Sequence, residues 1–171
     1  MAKPYHHGDL RQAALDVALA TVEQSGAANL SIRKVAEEVG VTHRALYRHF
    51  DSKARLLQEV LCEGFRLFNR QLLSANETPE AFASAYVDFA MEHPHLYALM
   101  MREPPGERSP EVMAAQAPVI AWMQRSFPSD DAAIQAWMVL HGGLSLAEAG
   151  VLQRRDKVRL RAFLLKIVAN S

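Results

Sequence analysis

Cysteine is almost missing: Cys62 is the single one in 171 residues. One thiol excludes an internal disulfide framework and a four-thiolate zinc site from one chain. Glycine and proline are sparse, eight of each, which excludes collagen-like repeats and low-complexity disorder. The opening residues Met-Ala-Lys-Pro-Tyr-His-His-Gly-Asp contain no apolar core, so no secretory signal is expected there. No phosphate-cradling glycine loop, Ser/His/Asp arrangement or paired-carboxylate motif stands out, so neither an enzyme nor a cofactor is expected. His6-His7 and His93/His95 lack the i, i+4 spacing that aims two imidazoles at one metal, so no metal site is expected. What is left is a soluble, intracellular protein, expected in the cytoplasm. Its length suits one domain, or a small head on a larger body.

The charge balance is zero, 19 basic against 19 acidic residues, but it is unevenly laid out. Residues 1–60 carry eight basic and seven acidic side chains, residues 61–150 five and eleven, and residues 151–171 six and one. Within 31–55, six bases (Arg33, Lys34, Arg44, Arg48, Lys53, Arg55) face three acids. That local excess suits a partner bearing phosphates, although a solvated helix face has the same look.

Apolar residues recur at three- and four-residue spacing, and alternating β-branched runs are missing, which predicts an all-α fold. The spacing predicts about nine helices, over roughly 9–25, 32–38, 43–49, 52–75, 79–93, 95–102, 110–126, 130–152 and 156–169. Thr78-Pro79 and Ser109-Pro110 each set an N-cap before a first-turn proline, and Ser129-Asp130-Asp131 puts acids at a positive dipole end. Pro118 should kink its helix, and the Pro-Gly-rich segment 103–109 is expected to be mobile. Residues 132–152 are nearly all apolar or small, but His141, Gly142-Gly143 and Glu148 argue for a buried helix rather than a membrane span. The expected domains are a head over 1–52 and a helical body over 53–171.

Residues 31–50 carry the functional signal. Val35, Ala36 and Val39 share one face of a short helix, and Gly40 follows where a left-handed residue ends it. Thr42 can cap the next helix, whose Leu46 returns to the core together with Phe50. Two short helices across a glycine turn make a helix-turn-helix, whose second helix enters the DNA major groove. The outer face of that helix offers His43, Arg44, Tyr47 and Arg48, with His49 beyond. Arg44 suits a paired contact to guanine, while Tyr47 and Lys53 suit phosphate. Arg33 and Thr42 complete the expected DNA-contacting set. The plain alternative is a helical hairpin of the sort many α-folds contain.

The run Gly-Val-Thr-His-Arg-Ala-Leu-Tyr-Arg-His-Phe-Asp-Ser-Lys-Ala-Arg-Leu-Leu, within Leu30–Leu57, resembles the head of tetracycline-repressor-type (TetR family) regulators. The specific part is the spacing Leu46-Tyr47-x-x-Phe50-x-x-Lys53. Tyr5-His6-His7-Gly8-Asp9-Leu10-Arg11 resembles the start of the first helix in one branch of that family. Trp137-Met-Val-Leu-His141-Gly142-Gly143-Leu144 and His93-Pro94-His95-Leu96-Tyr97 resemble the body of that branch. The resemblance implies a homodimer on a palindromic double-stranded operator, repressing transcription until a small lipophilic or aromatic ligand enters the body.

In the last helix Leu160, Phe163, Leu164, Ile167 and Val168 form one stripe. With the helix before it, near 130–152 and 156–169, it can build an isologous dimer contact, or both stripes can pack inside one subunit. The basic cluster Arg154, Arg155, Lys157, Arg159, Arg161 reads as a solvated face rather than a second nucleic-acid contact. Candidate pocket walls are Phe65, Phe68, Tyr86, Phe89, Met100, Met101, Trp122, Met123, Trp137 and His141. The same residues at helical spacing also read as core. Cys62, among Val60, Leu61 and Phe65, reads as inert packing. Two further readings stay open: a DNA-binding regulator without any small-molecule effector, and a helical scaffold or enzyme.

Overall fold

A computed structural model describes residues 7–102, 109–152 and 156–169. Among these residues there are nine α-helices and no strand. In chain order they are α1 (His7–Ser25), α2 (Ile32–Val39), α3 (His43–Tyr47), α4 (Lys53–Leu73) and α5 (Pro79–Glu92). Then come α6 (Pro94–Arg102), α7 (Pro110–Ser126), α8 (Asp130–Glu148) and α9 (Lys157–Ala169). A single 3-10 turn over Ala27–Asn29 joins α1 to α2.

The helix boundaries follow from local chemistry. Thr42, Thr78, Ser109 and Ser129 each accept a hydrogen bond from the backbone amide three residues on, at 3.2–3.3 Å. Such caps are each worth about 1 kcal/mol. Pro118 lies inside α7, and the helix runs on through it to Ser126. Several helices are shorter than the spacing predicts, α3, α4 and α8 by two residues or more. α3 stops at Tyr47, with Arg48 as its C-cap, and α8 stops at Glu148, where Gly150 turns left-handed at φ 72°. Apolar periodicity alone runs past both ends: after α3 it continues to Phe50, which returns to the core, and after α8 to Val151, which is exposed.

Close packing divides the chain into two units, residues up to 64 with 95–113, and residues 65–94 with 114 onward. In the first, α1 packs on α2 and α3, and α2 on α3. Ala14, Ala18 and Val22 of α1 are fully buried, as are Leu46, Phe50 and, on α4, Leu56, Val60 and Leu61. Burying each large apolar side chain contributes roughly 1.5–3 kcal/mol. Arg11 of α1 sits over the Phe50 ring, 5.7 Å from its centroid, and pairs with Glu59 of α4. Glu59 also faces Arg55 at 3.7 Å, and Arg55 faces Glu111 at 3.6 Å. Gly64 lets α6 come close to α4, since a Cβ there would lie 2.9 Å from Met100 Sδ and 3.1 Å from Leu96 Cδ1.

In the second unit α5 packs on α8 and α9, which also pack on each other. Arg161 on α9 grips Asp88 on α5 with two bonds, Nε to Oδ1 at 2.6 Å and Nη2 to Oδ2 at 2.9 Å. Ser84 lies in the same cluster, accepting from Arg161 and donating to Asp88. Gly143 brings α8 against α9, because a Cβ there would collide with Leu164 Cδ2. No helix among the described residues is long and apolar enough to cross a membrane. Residues Tyr5 and His6, segment 103–108, and Arg154 and Arg155 lie outside the described residues.

Candidate nucleic-acid interface

The turn between α2 and α3 is built by two local signals. Gly40 is left-handed at φ 80°, ψ 30°, and the amides of Gly40 and Val41 close back on the carbonyls of Glu37 and Ala36. That pattern ends α2 and frees the chain to reverse, and an L side chain at Gly40 would be strained. Thr42 then caps α3 by accepting from the Ala45 amide at 3.2 Å. Val35, Ala36, Leu46 and Phe50 pin both helices to the core, which leaves the opposite faces to solvent.

The exposed faces hold most of the expected contact residues. Arg33, Thr42, His43, Arg44, Tyr47 and Arg48 are all exposed. Arg33, Thr42, His43 and Tyr47 line one open groove between α2 and the start of α3, together with Ala36, Glu37 and Val41. His43 and Tyr47 meet edge to face, centroids 6.4 Å apart, which holds the phenol to one side of α3. Arg44 and Arg48 lie outside that lining, and His49 is half-buried just past the end of α3. Lys53, at the first turn of α4, donates its Nζ to the Ala28 carbonyl at 3.0 Å. This bond ties α4 to the turn after α1, and no sequence pattern signals a partner 25 residues away.

Glu37 is a further member of the face that the expected contact set leaves out. Arg33 Nε donates to its Oε1 at 3.1 Å, an i, i+4 pair on the exposed face of α2. The spacing alone is a sufficient signal for that pair.

The candidate ligand residues fall in both units. Met100 is buried beside Gly64 in the first unit, and half-buried Met101 follows it on α6. In the second, Phe65, Tyr86, Phe89 and Trp122 are buried. Phe68 lies 4.9 Å from Phe89 and 5.9 Å from Tyr86, and Phe82 stacks on Trp122 at 5.8 Å. Trp137 donates its indole N–H to the Tyr86 hydroxyl at 3.1 Å and stacks on His141 at 5.9 Å, with 39% of its surface exposed. Cys62 is buried on α4. Among the described residues no group of three or more His, Cys, Asp or Glu is placed to hold a metal ion.

A capped, glycine-turned helix pair with a cationic outer face, set at the head of a helical chain, defines a helix-turn-helix DNA-binding protein. The family model described as "Bacterial regulatory proteins, tetR family" matches residues 14–60, and "Tetracyclin repressor-like, C-terminal domain" matches residues 80–168. The chain belongs to the tetR family of transcriptional regulators. An HTH-type transcriptional regulator of Mycobacterium tuberculosis is 30% identical over 161 residues, spanning 85% of this chain and 73% of that protein. A solved protein of unknown function from Rhodococcus sp. RHA1 is 30% identical with a TM-score of 0.79, covering 98% of this chain and 97% of the other. The multidrug binding protein EbrR, solved with imidazole, shares the fold at 22% identity and a TM-score of 0.66, covering 96% and 95%.

Proposed function

We propose that the chain is a homodimeric repressor that binds a palindromic operator through α3 and is released by a small lipophilic or aromatic ligand. The observation that carries the DNA half is the groove of Arg33, Thr42, His43 and Tyr47 beside exposed Arg44 and Arg48. Arg44 reads a guanine edge, and Tyr47 and Lys53 fix the register on phosphate. The functional division runs after residue 52, with the DNA-binding head over 1–52 and the effector and dimer body over 53–171. The protein acts in the cytoplasm, without catalysis of its own.

The dimer reading rests on the outer side of α8. Ile134, Trp137, Met138 and Leu146 are exposed there, with Val158 exposed on α9, and an apolar face of this sort in one protomer suits a second copy. Trp137, His141 and Gly142 on that helix support membership of the branch bearing a Trp…His-Gly body. The effector reading rests on the aromatic residues Phe65, Tyr86, Phe89, Trp122, Trp137 and His141 of the second unit. EbrR, a multidrug binding protein of the same fold, supports it by fold alone.

The test uses duplexes that the protein itself selects from a random pool. Arg44→Ala should cost about 1–3 kcal/mol on the selected duplex and relax preference at one position. Unchanged affinity and preference would remove Arg44 from the groove. Met138→Glu should give a folded monomer by sedimentation; a persistent dimer would move the interface off α8.

A further inference from the structure

We propose that Glu37 is a positioning residue for sequence reading, whose carboxylate orients the Arg33 guanidinium toward a base edge and away from phosphate. The inference rests on the reading of the α2–α3 face as the DNA-binding surface.

The pair is set in an informative place. Arg33 Nε meets Glu37 Oε1 at 3.1 Å, and both side chains line the groove that Thr42, His43 and Tyr47 also line. The pair is open to solvent, with 82% and 63% of the two side chains exposed. A pair so exposed contributes little to the fold, on the order of a few tenths of a kcal/mol. Its consequence therefore falls on whatever enters the groove.

Two physical effects follow for a DNA duplex. A carboxylate in the groove repels phosphate oxygens, so it weakens sequence-independent attachment on that face. It also occupies Nε, which leaves the two terminal nitrogens of Arg33 as a planar fork. That fork matches the O6 and N7 acceptors of guanine. Without Glu37 the guanidinium is released on a flexible stem, and the nearest acceptors on any duplex are phosphates. Glu37 thus exchanges some affinity for discrimination, and is itself neither a base-contacting nor a phosphate-contacting group.

The experiment compares wild type, Glu37→Gln and Arg33→Ala. Each selects from a random duplex pool, and each is titrated against the wild-type selected duplex and a scrambled duplex across a salt series. Glutamine keeps the size and helix propensity of glutamate, so all three proteins should melt together. Glu37→Gln should bind the scrambled duplex several-fold more tightly, with a salt slope steeper by about 0.9, the increment that one more neutralised phosphate brings. Its ratio of selected to scrambled affinity should fall about tenfold. The base pair at which its selection loses preference should be the one lost by Arg33→Ala. A Glu37→Gln selection that keeps the wild-type profile, or loses a different base pair, overturns the positioning role while leaving the DNA-binding reading intact. If wild type itself selects no duplex, the DNA-binding reading falls and takes the inference with it.

Discussion

At the scale of single residues, small changes in shape carry the largest consequences where helices touch most closely. Gly64→Ala would put a methyl 2.9 Å from Met100 Sδ and 3.1 Å from Leu96 Cδ1, and both neighbours are fully buried. Overpacking of this kind costs about 1–3 kcal/mol, which a urea titration would register as a lower midpoint at unchanged slope. A midpoint equal to wild type would mean that the α4–α6 contact yields freely. Lys53→Ala has two separable readouts. Loss of the bond to the Ala28 carbonyl should lower stability by roughly 1 kcal/mol. Removal of a phosphate-binding cation should lower the salt slope of DNA binding by about one, equally for all sequences. An unchanged slope with lower stability would leave Lys53 a structural tie alone. Which residues are legible in the sequence divides along the same line. Gly40 and Thr42 act on backbone groups within five positions, so their roles can be read off the chain. The Lys53–Ala28 bond and the Gly64–Met100 approach join distant segments, and no local pattern announces them.

At the scale of helices, α9 meets α8 in a close approach at Gly143 and is tied to α5 by the Arg161–Asp88 ion pair. Gly142 and Gly143 are neighbours on α8 with opposite surroundings. A Cβ on Gly143 meets Leu164, whereas a Cβ on Gly142 meets nothing within 4 Å. Gly143→Ala should therefore lower the thermal midpoint, while Gly142→Ala should leave the protomer fold unharmed or stabilise it by up to about 1 kcal/mol from helix propensity. Equal losses in both variants would contradict this packing of α8 on α9. The Arg161 hydrogen bonds hold the Asp88 carboxyl below the usual carboxylate range; partial burial opposes them, and the Arg161 charge and Ser84 hydroxyl add to them. A carboxylate with a lowered folded-state pKa stabilises the fold above its unfolded value, about 3.9 for aspartate. That contribution is lost as pH falls through the lower folded value. Asp88→Asn should accordingly be less stable at neutral pH and show a flatter decline of stability below about pH 4. A decline as steep as wild type would assign the acid sensitivity to other groups. The helix count and order are legible because apolar spacing and N-caps are local. The ends of α3 and α8 are not, since a capping turn continues the apolar pattern past the last helical residue.

At the scale of the whole chain, membership of the tetR family is legible from the Leu46-Tyr47-x-x-Phe50-x-x-Lys53 spacing, because that spacing encodes both the buried and the exposed side of one small head. The body is less so: its aromatic and methionine residues suit a pocket wall, yet at helical spacing they read more readily as core. Phe68, Phe82, Tyr86, Phe89 and Trp122 in fact stand in ring contacts with one another. A two-fold dimer would carry two α3 helices, the number that an inverted-repeat operator calls for. Selecting bound sequences from a random double-stranded pool, then titrating salt on the winner, tests operator binding most directly. The expected winner is an inverted repeat whose half-sites are centred about one helical turn, or a small multiple of it, apart, with affinity falling steeply as salt rises. A folded, dimeric protein that enriches no sequence would contradict operator binding.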